Sequence, residues 1–126
     1  MTQEDKQLLL KDLCARLPYG VICQWSYYNG KKDDEKLKHL SEINLFFITE
    51  SQGVTVVPYL RPMSSMTTEE YKEYDSHRNH ICDEYNRYCF DSAESIDWLN
   101  EHHFDYRGLI PMGLALEATE GMYKTE

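Results

Sequence analysis

Apolar positions at the start of the chain recur at the spacing of one helix face. In residues 2–17 these positions are Leu9, Leu10, Leu13 and Leu17. Thr2 can cap this helix, because Asp5 lies three residues later as in a capping box. Pro18 and Gly20 follow the last leucine and end the helical pattern. We therefore predict an N-terminal helix with one buried face.

The pattern then changes to one that is typical of strands. Residues 19–28 are rich in aromatic and β-branched side chains, and Asn29-Gly30 after them is the strongest turn signal in the chain. The charged residues 31–36 are interpreted as a solvated hairpin loop. Residues 37–49 and 54–60 are predicted as two further strands, and Pro58 favours an edge position or a bulge. Together they indicate an antiparallel meander.

Helical signals return after a linker at residues 61–66. Thr67 and Glu70 form a capping box, and the helix that they open is predicted to continue to about Phe90. Along it, Tyr71, Tyr74, Arg78, Ile81, Tyr85 and Tyr88 recur at intervals of three and four residues. A tyrosine-rich stripe suits a partly wet contact better than a closed core, because the hydroxyl needs water or a partner.

Residues 93–103 predict another helix, which Asp91 or Ser92 can cap. Asp105 can cap a short turn at residues 106–112, and Gly113 fits the end of that turn. A last strand is predicted at residues 114–118.

The predicted fold class is α+β. It consists of an N-terminal helix, a three- to four-stranded antiparallel β-meander, and two to three C-terminal helices packed on one face. A chain of 126 residues is about one domain. We assign residues 1–118 to this domain and residues 119–126 to a polar C-terminal tail, which is expected to fray.

Charge and hydropathy narrow the functional classes. The net charge is −9, with 22 acidic and 13 basic residues, so binding to phosphate backbones is disfavoured. No apolar run approaches the ~18 residues of a membrane span, and no signal peptide is recognisable. We expect a cytoplasmic protein with no membrane association, no cofactor and a protein partner. Its oligomeric state cannot be read from the sequence.

Four cysteines are present: Cys14, Cys23, Cys82 and Cys89. Without an export signal or a C-x-x-C pair, they are interpreted as reduced residues that fill the core. Cys82 and Cys89 are seven residues apart and would share one face of the predicted helix.

Two groups of residues are candidates for chemistry. Glu73, His77, His80 and Glu84 would form a ladder on the second helix that could share a divalent metal ion, although a solvated helix face explains the same spacing. His102, His103, Asp105 and Arg107 could supply a general base and an anion-binding group. Capping, ion pairing and the helix end give a structural explanation for this second group.

Three stretches resemble a group of small uncharacterised proteins from gut Bacteroidales and their phages and mobile elements. They are Leu9-Leu-Lys-Asp-Leu-Cys-Ala-Arg-Leu-Pro-Tyr-Gly-Val21, Pro58-Tyr-Leu-Arg-Pro-Met-Ser-Ser-Met-Thr67 and Ile96-Asp-Trp-Leu-Asn through Ala118. The resemblance leaves out residues 29–36 and 71–91. It implies an intracellular accessory protein, phage- or element-borne, and no assigned activity. The order of a helix and bent strands is also similar to that of Sm-like or SH3-like barrels, as a fold analogy alone.

The sequence favours a non-enzymatic, acidic protein-interaction module. The residues expected to make contact are Tyr71, Tyr74, Arg78, Tyr85 and Tyr88. The alternative is a small hydrolase that is metal-dependent or based on histidine.

Overall fold

The computed structural model describes residues 2–27, 29–36 and 54–123. In chain order, the helices are α1 (Gln3–Arg16), α2 (Thr68–Ser76) and α3 (Ala93–Glu101). The strands are β1 (Ile22–Tyr27), β2 (Lys32–Lys36), β3 (Val54–Leu60), β4 (Asn79–Cys82), β5 (Arg87–Phe90) and β6 (Leu116–Glu117). The predicted α+β class is confirmed, while the strand predicted at residues 37–49 lies outside the described residues.

The main sheet has the strand order β2-β1-β3-β6. Strand β1 is antiparallel to both β2 and β3, whereas β6 joins β3 in parallel through Tyr59↔Leu116 and Leu60↔Glu117. Pro58 pairs with Cys23 on the β1 side and precedes the two residues that β6 contacts. The missing N–H of Pro58 therefore costs no bond to β6.

The charged segment predicted as a loop is a strand instead. Residues 32–36 pair with β1 over five positions, from Ser26↔Lys32 to Ile22↔Lys36. Only Asp33 among them is shielded from solvent to an intermediate degree. Among the described strands β2 lies at the sheet edge, where charged side chains remain hydrated and discourage pairing with other chains.

The prediction of one helix from Thr67 to Phe90 is wrong. Helix α2 begins at the predicted capping box of Thr67 and Glu70 but ends at Ser76. Strands β4 and β5 follow as a separate two-stranded antiparallel sheet, which we call the hairpin. Its strands carry β-branched and aromatic residues on both sides of Asp83 and Asn86, and this turn chemistry outweighs the helical spacing of the tyrosines.

Among the described residues, the apolar core has two parts. The larger part lies between α1 and the main sheet, and its largest members include Leu9, Leu13, Leu60 and Leu109. The smaller part lies between α2 and α3 and consists of Tyr74, Trp98, Leu99 and Phe104.

Helix α1 also buries two charged residues on its apolar face. Asp12 and Arg16 are both 0% exposed, and Arg16 Nε donates to Asp12 Oδ2 at 2.8 Å. Arg107 donates to Asp12 Oδ1 at 2.8 Å, and Arg16 Nη2 donates to the carbonyl oxygen of Phe104 at 2.6 Å. We call Asp12, Arg16 and Arg107 the buried ion cluster. It joins α1 to the C-terminal quarter of the chain.

Tyr123, in the segment predicted as a tail, is anchored to the sheet. Its hydroxyl accepts from Ile22 N at 2.8 Å and donates to the carbonyl oxygen of Tyr59 at 2.7 Å. Its ring stacks on His103 at a centroid distance of 3.7 Å. Tyr123 is therefore bound to the sheet although it belongs to the predicted tail, which starts after residue 118. Residues 124–126 lie outside the described part of the chain.

Candidate functional site

The hairpin is tied at its base to α2 and α3. Asp91, directly after β5, accepts hydrogen bonds from Tyr74 Oη and from Ser95 Oγ. Arg78, directly before β4, forms ion pairs with Asp75 at 3.3 Å and with Asp91 at 3.7 Å. Burial, and next the hydrogen bond to Asp91, raise the pKa of Tyr74 to about 12, so this hydroxyl remains a donor. The base of the hairpin is therefore fixed by polar contacts.

The tip of the hairpin is built by one carboxylate. Asp83 Oδ1 accepts from Tyr85 N at 2.8 Å and from Asn86 N at 2.6 Å, while Asp83 N donates to Asn86 O at 2.9 Å. This arrangement is an Asx-type turn, in which the side chain replaces a backbone acceptor. It leaves Tyr85 at the tip, 84% exposed.

Strand alternation gives the hairpin two different faces. The pairs Ile81↔Tyr88 and Asn79↔Phe90 share one face, which we call the apolar face after Ile81, Tyr88 and Phe90. The pairs His80↔Cys89 and Cys82↔Arg87 share the other, which we call the polar face.

The apolar face is open to solvent. Ile81 is 52% exposed, Tyr88 is 51% exposed and Phe90 is 45% exposed. Every residue of β4 and β5 is exposed to solvent. In β3, by contrast, Val56, Tyr59 and Leu60 are buried. The hairpin therefore adds little to the core while presenting three large apolar side chains.

The polar face holds a thiol, an imidazole and a carboxylate in sequence. Cys89 Sγ lies 3.2 Å from His80 Nδ1. His80 Nε2 lies 2.9 Å from the carbonyl oxygen of Asp75 and 3.5 Å from its carboxylate Oδ2. These three residues line a pocket of about 460 Å³, whose lining also includes Cys82, Arg87, Ile81 and Tyr88. We call Asp75, His80 and Cys89 the relay.

The predicted metal ladder is not formed. Because α2 ends at Ser76, Glu73 lies on the helix, His77 caps it, His80 lies in β4 and Glu84 lies in the hairpin turn. Within the ranges that the structure describes, no three His, Cys, Asp or Glu residues are placed to hold a metal ion.

The predicted interaction residues are dispersed in the same way. Tyr71 is 50% exposed on α2, while Tyr74 is buried in the smaller core. Arg78 lies at the hairpin base, where its guanidinium is 5.5 Å from the Tyr74 ring. Tyr85 and Tyr88 lie on the hairpin. Three of the five residues, Tyr71, Tyr85 and Tyr88, therefore remain available for contact.

In the C-terminal candidate group, Asp105 and Arg107 are engaged by the fold. The two carboxylate oxygens of Asp105 accept from Leu109 N at 2.8 Å and from Ile110 N at 2.9 Å, so this residue caps the following turn. Arg107 is bonded to Asp12 within the buried ion cluster. Neither side chain lines the pocket formed by the two histidines.

His102 and His103 also end helix α3. His103 adopts a left-handed conformation with φ 64°, and the bonds His103 N to Asn100 O and Phe104 N to Leu99 O complete a Schellman motif. His102 stacks on Trp98 at 3.9 Å, and its Nδ1 is 2.9 Å from the Trp98 carbonyl oxygen. Both histidines thus have structural roles at the end of the helix, in agreement with the structural explanation for this group of residues.

These histidines line a pocket of about 380 Å³ with Arg61 and Tyr123. Burial first, and then the positive charge of Arg16, lower the pKa of His103 to about 4, so the ring is neutral at pH 7. A second pocket, of about 600 Å³, also contains Arg61 and Tyr123. In both pockets the Arg61 guanidinium is already held by Glu70 through two bonds of 2.8 Å.

The interpretation of the cysteines as core-filling residues is wrong for three of them. All four are free thiols, but only Cys23 is buried, and burial raises its pKa to about 12. Cys82 and Cys89 lie on opposing strands of the hairpin. The alternation of residues 79–82 and 87–90 around Asp83 and Asn86 was the signal that could have revealed the polar face.

Comparison of the chain with known proteins identified no relative. The chain matches no family model, no curated protein and no solved structure. No helix in the described ranges has the length and apolar character that crossing a membrane requires.

Proposed function

We propose that the protein is a non-enzymatic, acidic protein-interaction module that contacts its partner through the apolar face of the hairpin. The observation that carries the proposal is the cross-strand pair Ile81↔Tyr88, half exposed on a two-stranded sheet that no other described strand extends. A two-stranded hairpin gains little stability by itself. Exposed aromatic and aliphatic side chains that are contiguous on one face are typical of contact surfaces.

The charge around the hairpin indicates the chemistry of the partner. Residues 67–91 contain seven acidic and three basic residues, within a chain of net charge −9. Glu73 on α2 and Glu84 in the hairpin turn are both exposed. A complementary partner would offer an apolar patch with a basic rim, because opposite charges at the rim steer association. An accessory role, as the resemblance implies, is compatible with such a binding function.

The hydrolase alternative has less support. Asp105 and Arg107 satisfy buried partners instead of facing the histidine pocket. His77 and His80 lie on different elements, and the pocket of the relay contains only His80. Binding through the apolar face needs no convergence of these groups.

The test compares three baits in a lysate of gut Bacteroidales: the wild type, the double variant Ile81→Ser/Tyr88→Ser, and Met112→Ser. Met112 is a matched control, because it is 50% exposed and apolar but lies outside the hairpin. We expect a protein that the wild type and Met112→Ser retain and the double variant loses. Identical retention by all three baits would contradict the proposal.

The identified partner is then mixed with the purified wild type at increasing salt. We expect the affinity to fall as salt screens the rim charges, and Glu84→Lys to reduce it further. Sedimentation of the wild type alone distinguishes self-association. A dimer that the double variant abolishes would replace the hetero-partner with a second copy of this chain.

A further inference from the structure

The relay on the polar face is a second feature with chemical potential, and it lies on the opposite side of the hairpin from the proposed contact surface. Its thiol and imidazole come from opposing strands, since His80 and Cys89 are direct cross-strand partners. Its carboxylate belongs to the last turn of α2, which the Arg78–Asp75 ion pair ties to the hairpin base. Three separate elements therefore place one relay.

The hydrogen-bond partners determine the tautomer of His80. Its Nε2 faces the carbonyl oxygen of Asp75 at 2.9 Å and the carboxylate Oδ2 at 3.5 Å. A carbonyl oxygen and a carboxylate are both acceptors, so Nε2 carries the proton. In the neutral ring Nδ1 then has a lone pair, and this lone pair faces the Cys89 thiol at 3.2 Å. The imidazole is oriented to accept the thiol proton.

The other exposed thiols lack this arrangement and serve as internal references. Cys82 lies on the same face as Cys89, but its Sγ contacts the carbonyl oxygen of Asp83 at 3.9 Å. Cys14 is exposed on α1. Among the contacts of the described residues, only Cys89 joins its sulfur to an imidazole nitrogen. A nucleophile bonded to a base that a third group orients is the general arrangement of an activated nucleophile.

We propose that Cys89 is a nucleophilic thiol that forms mixed disulfides, with His80 as its base and Asp75 as the residue that positions His80. The thiol proton passes to His80 Nδ1, and the thiolate attacks one sulfur of a substrate disulfide. A bond forms between Cys89 Sγ and that sulfur as the substrate S–S bond breaks. The leaving thiolate takes the proton from His80, so one disulfide replaces another without net oxidation.

Disulfides fit this site better than acyl substrates do. Attack on a disulfide develops negative charge only on sulfur atoms, whereas acyl transfer requires donors aimed at a developing oxyanion. The relay supplies a thiolate and a proton for the leaving group, which are the two things that exchange requires. The exposure of Cys89 and the adjoining pocket of about 460 Å³ give a disulfide access to the sulfur. This reactivity does not depend on the proposed binding function.

The test exposes the folded protein to glutathione disulfide at pH 7 and follows each cysteine by mass spectrometry. Trypsin separates all four, because Lys11, Arg16, Lys31, Arg78, Arg87 and Arg107 place them in different peptides. Because His80 Nδ1 is placed to accept the proton of Cys89 as the sulfur attacks, we expect Cys89 to react about tenfold faster than Cys14 and Cys82. Equal rates at the three exposed cysteines would overturn the proposal.

Two substitutions assign the roles. In His80→Ala, the rate at Cys89 should fall to that of Cys14, and added imidazole should raise it again, which a purely structural role would not produce. Asp75→Asn should slow Cys89 and leave Cys14 unchanged, while Asp75→Glu, which keeps the carboxylate, should recover part of the rate. An unchanged Cys14 rate and circular dichroism spectrum verify the fold. A Cys89 rate that is insensitive to His80→Ala would refute the relay.

Discussion

The buried ion cluster and the hairpin use polar chemistry in opposite ways. In the cluster, Asp12 and Arg16 are fully buried and bonded to each other, to Arg107 and to a backbone carbonyl. In the hairpin, every strand residue is exposed, and the thiol and imidazole of the relay remain accessible to solvent. The charged groups of the cluster are bonded to other groups inside the protein. The side chains of the hairpin strands are instead exposed and can contact other molecules.

This difference separates stability from function. Withdrawing two charges from water is costly, and removal of one partner from a buried pair leaves the other uncompensated. Substitutions in the cluster should therefore lower the free energy of unfolding and leave the affinity for a partner unchanged. Substitutions on the hairpin should lower the affinity and change the free energy of unfolding little, because its side chains contact little of the core.

The largest expected effect is that of Asp12→Ala. The change leaves Arg16 buried without a carboxylate and removes the partner of Arg107, so we expect a loss of about 3–5 kcal/mol in the free energy of unfolding. Urea titration followed by circular dichroism measures it. Lys11→Ala, at the exposed neighbouring position, is the control and should change stability by less than about 0.5 kcal/mol. If Asp12→Ala lowered the free energy of unfolding as little as the control does, the buried ion cluster would not differ from the hairpin in its contribution to stability.

The next effect concerns His103, which packs beside the cluster against Tyr123. Its pKa is lowered from 6.5 to about 4 by burial and then by Arg16, His102, Arg61 and Lys36. The unfolded state therefore binds the proton more tightly. This contribution to stability is complete above about pH 6.5 and declines as the pH falls towards 4. The shift corresponds to about 3 kcal/mol at most.

His103→Asn tests this dependence, because Asn tolerates a left-handed conformation and does not titrate. Urea midpoints at pH 7.5, 6 and 4.5 should decline less for this variant than for the wild type. His77→Asn, at an exposed position, should keep the full decline. Identical pH profiles for wild type and His103→Asn would show that His103 does not contribute.

A smaller effect is expected where the core meets α2. Arg61 holds Glu70 through two bonds, and this contact first of all lowers the pKa of Glu70 to about 2. The contribution is present above about pH 4.5 and is lost as the pH falls towards 2. Glu70→Gln can keep the bond to Thr67 N but loses the ion pair, so we expect about 1 kcal/mol at pH 7 by urea titration.

Glu73→Gln on the same helix is the matched control, because Glu73 is exposed. It should lie within about 0.5 kcal/mol of the wild type. If both variants had the same free energy of unfolding, the Arg61–Glu70 ion pair would contribute as little to stability as an exposed surface pair does.

The parts of the fold that the sequence predicted are those in which local signals agree. Three helix starts follow from side chains that cap them, at Thr2, Thr67 and Ser92, and all three caps are present. Strand β3 has its predicted bounds. The parallel pairing of β6 with β3 depends on contacts between residues more than fifty positions apart, which no local pattern contains.

The candidate site was harder to predict, because the same residues follow both a helical repeat and the alternation of a β-hairpin. The tyrosines follow a helical repeat across residues 71–88, but the turn residues Asp83 and Asn86 interrupt it and the chain forms the hairpin. The buried ion cluster had a local signal. Asp12 and Arg16 are four residues apart, and with Leu9 and Leu13 they complete one face of α1. Their connection to Arg107 is tertiary and required the structure.

The smallest effect on stability is expected for the hairpin. Ile81→Ser/Tyr88→Ser removes two large side chains that are each about half exposed, at a site that the core does not include. Because little apolar area is withdrawn from water there, we expect the free energy of unfolding to change by no more than about 1 kcal/mol. Urea titration beside Asp12→Ala makes the comparison direct. A loss as large as that of Asp12→Ala would mean that the hairpin is part of the cooperative core, and the apolar face would then have a structural explanation. A near-neutral result, together with loss of the retained partner, would assign these side chains to an interaction outside the molecule.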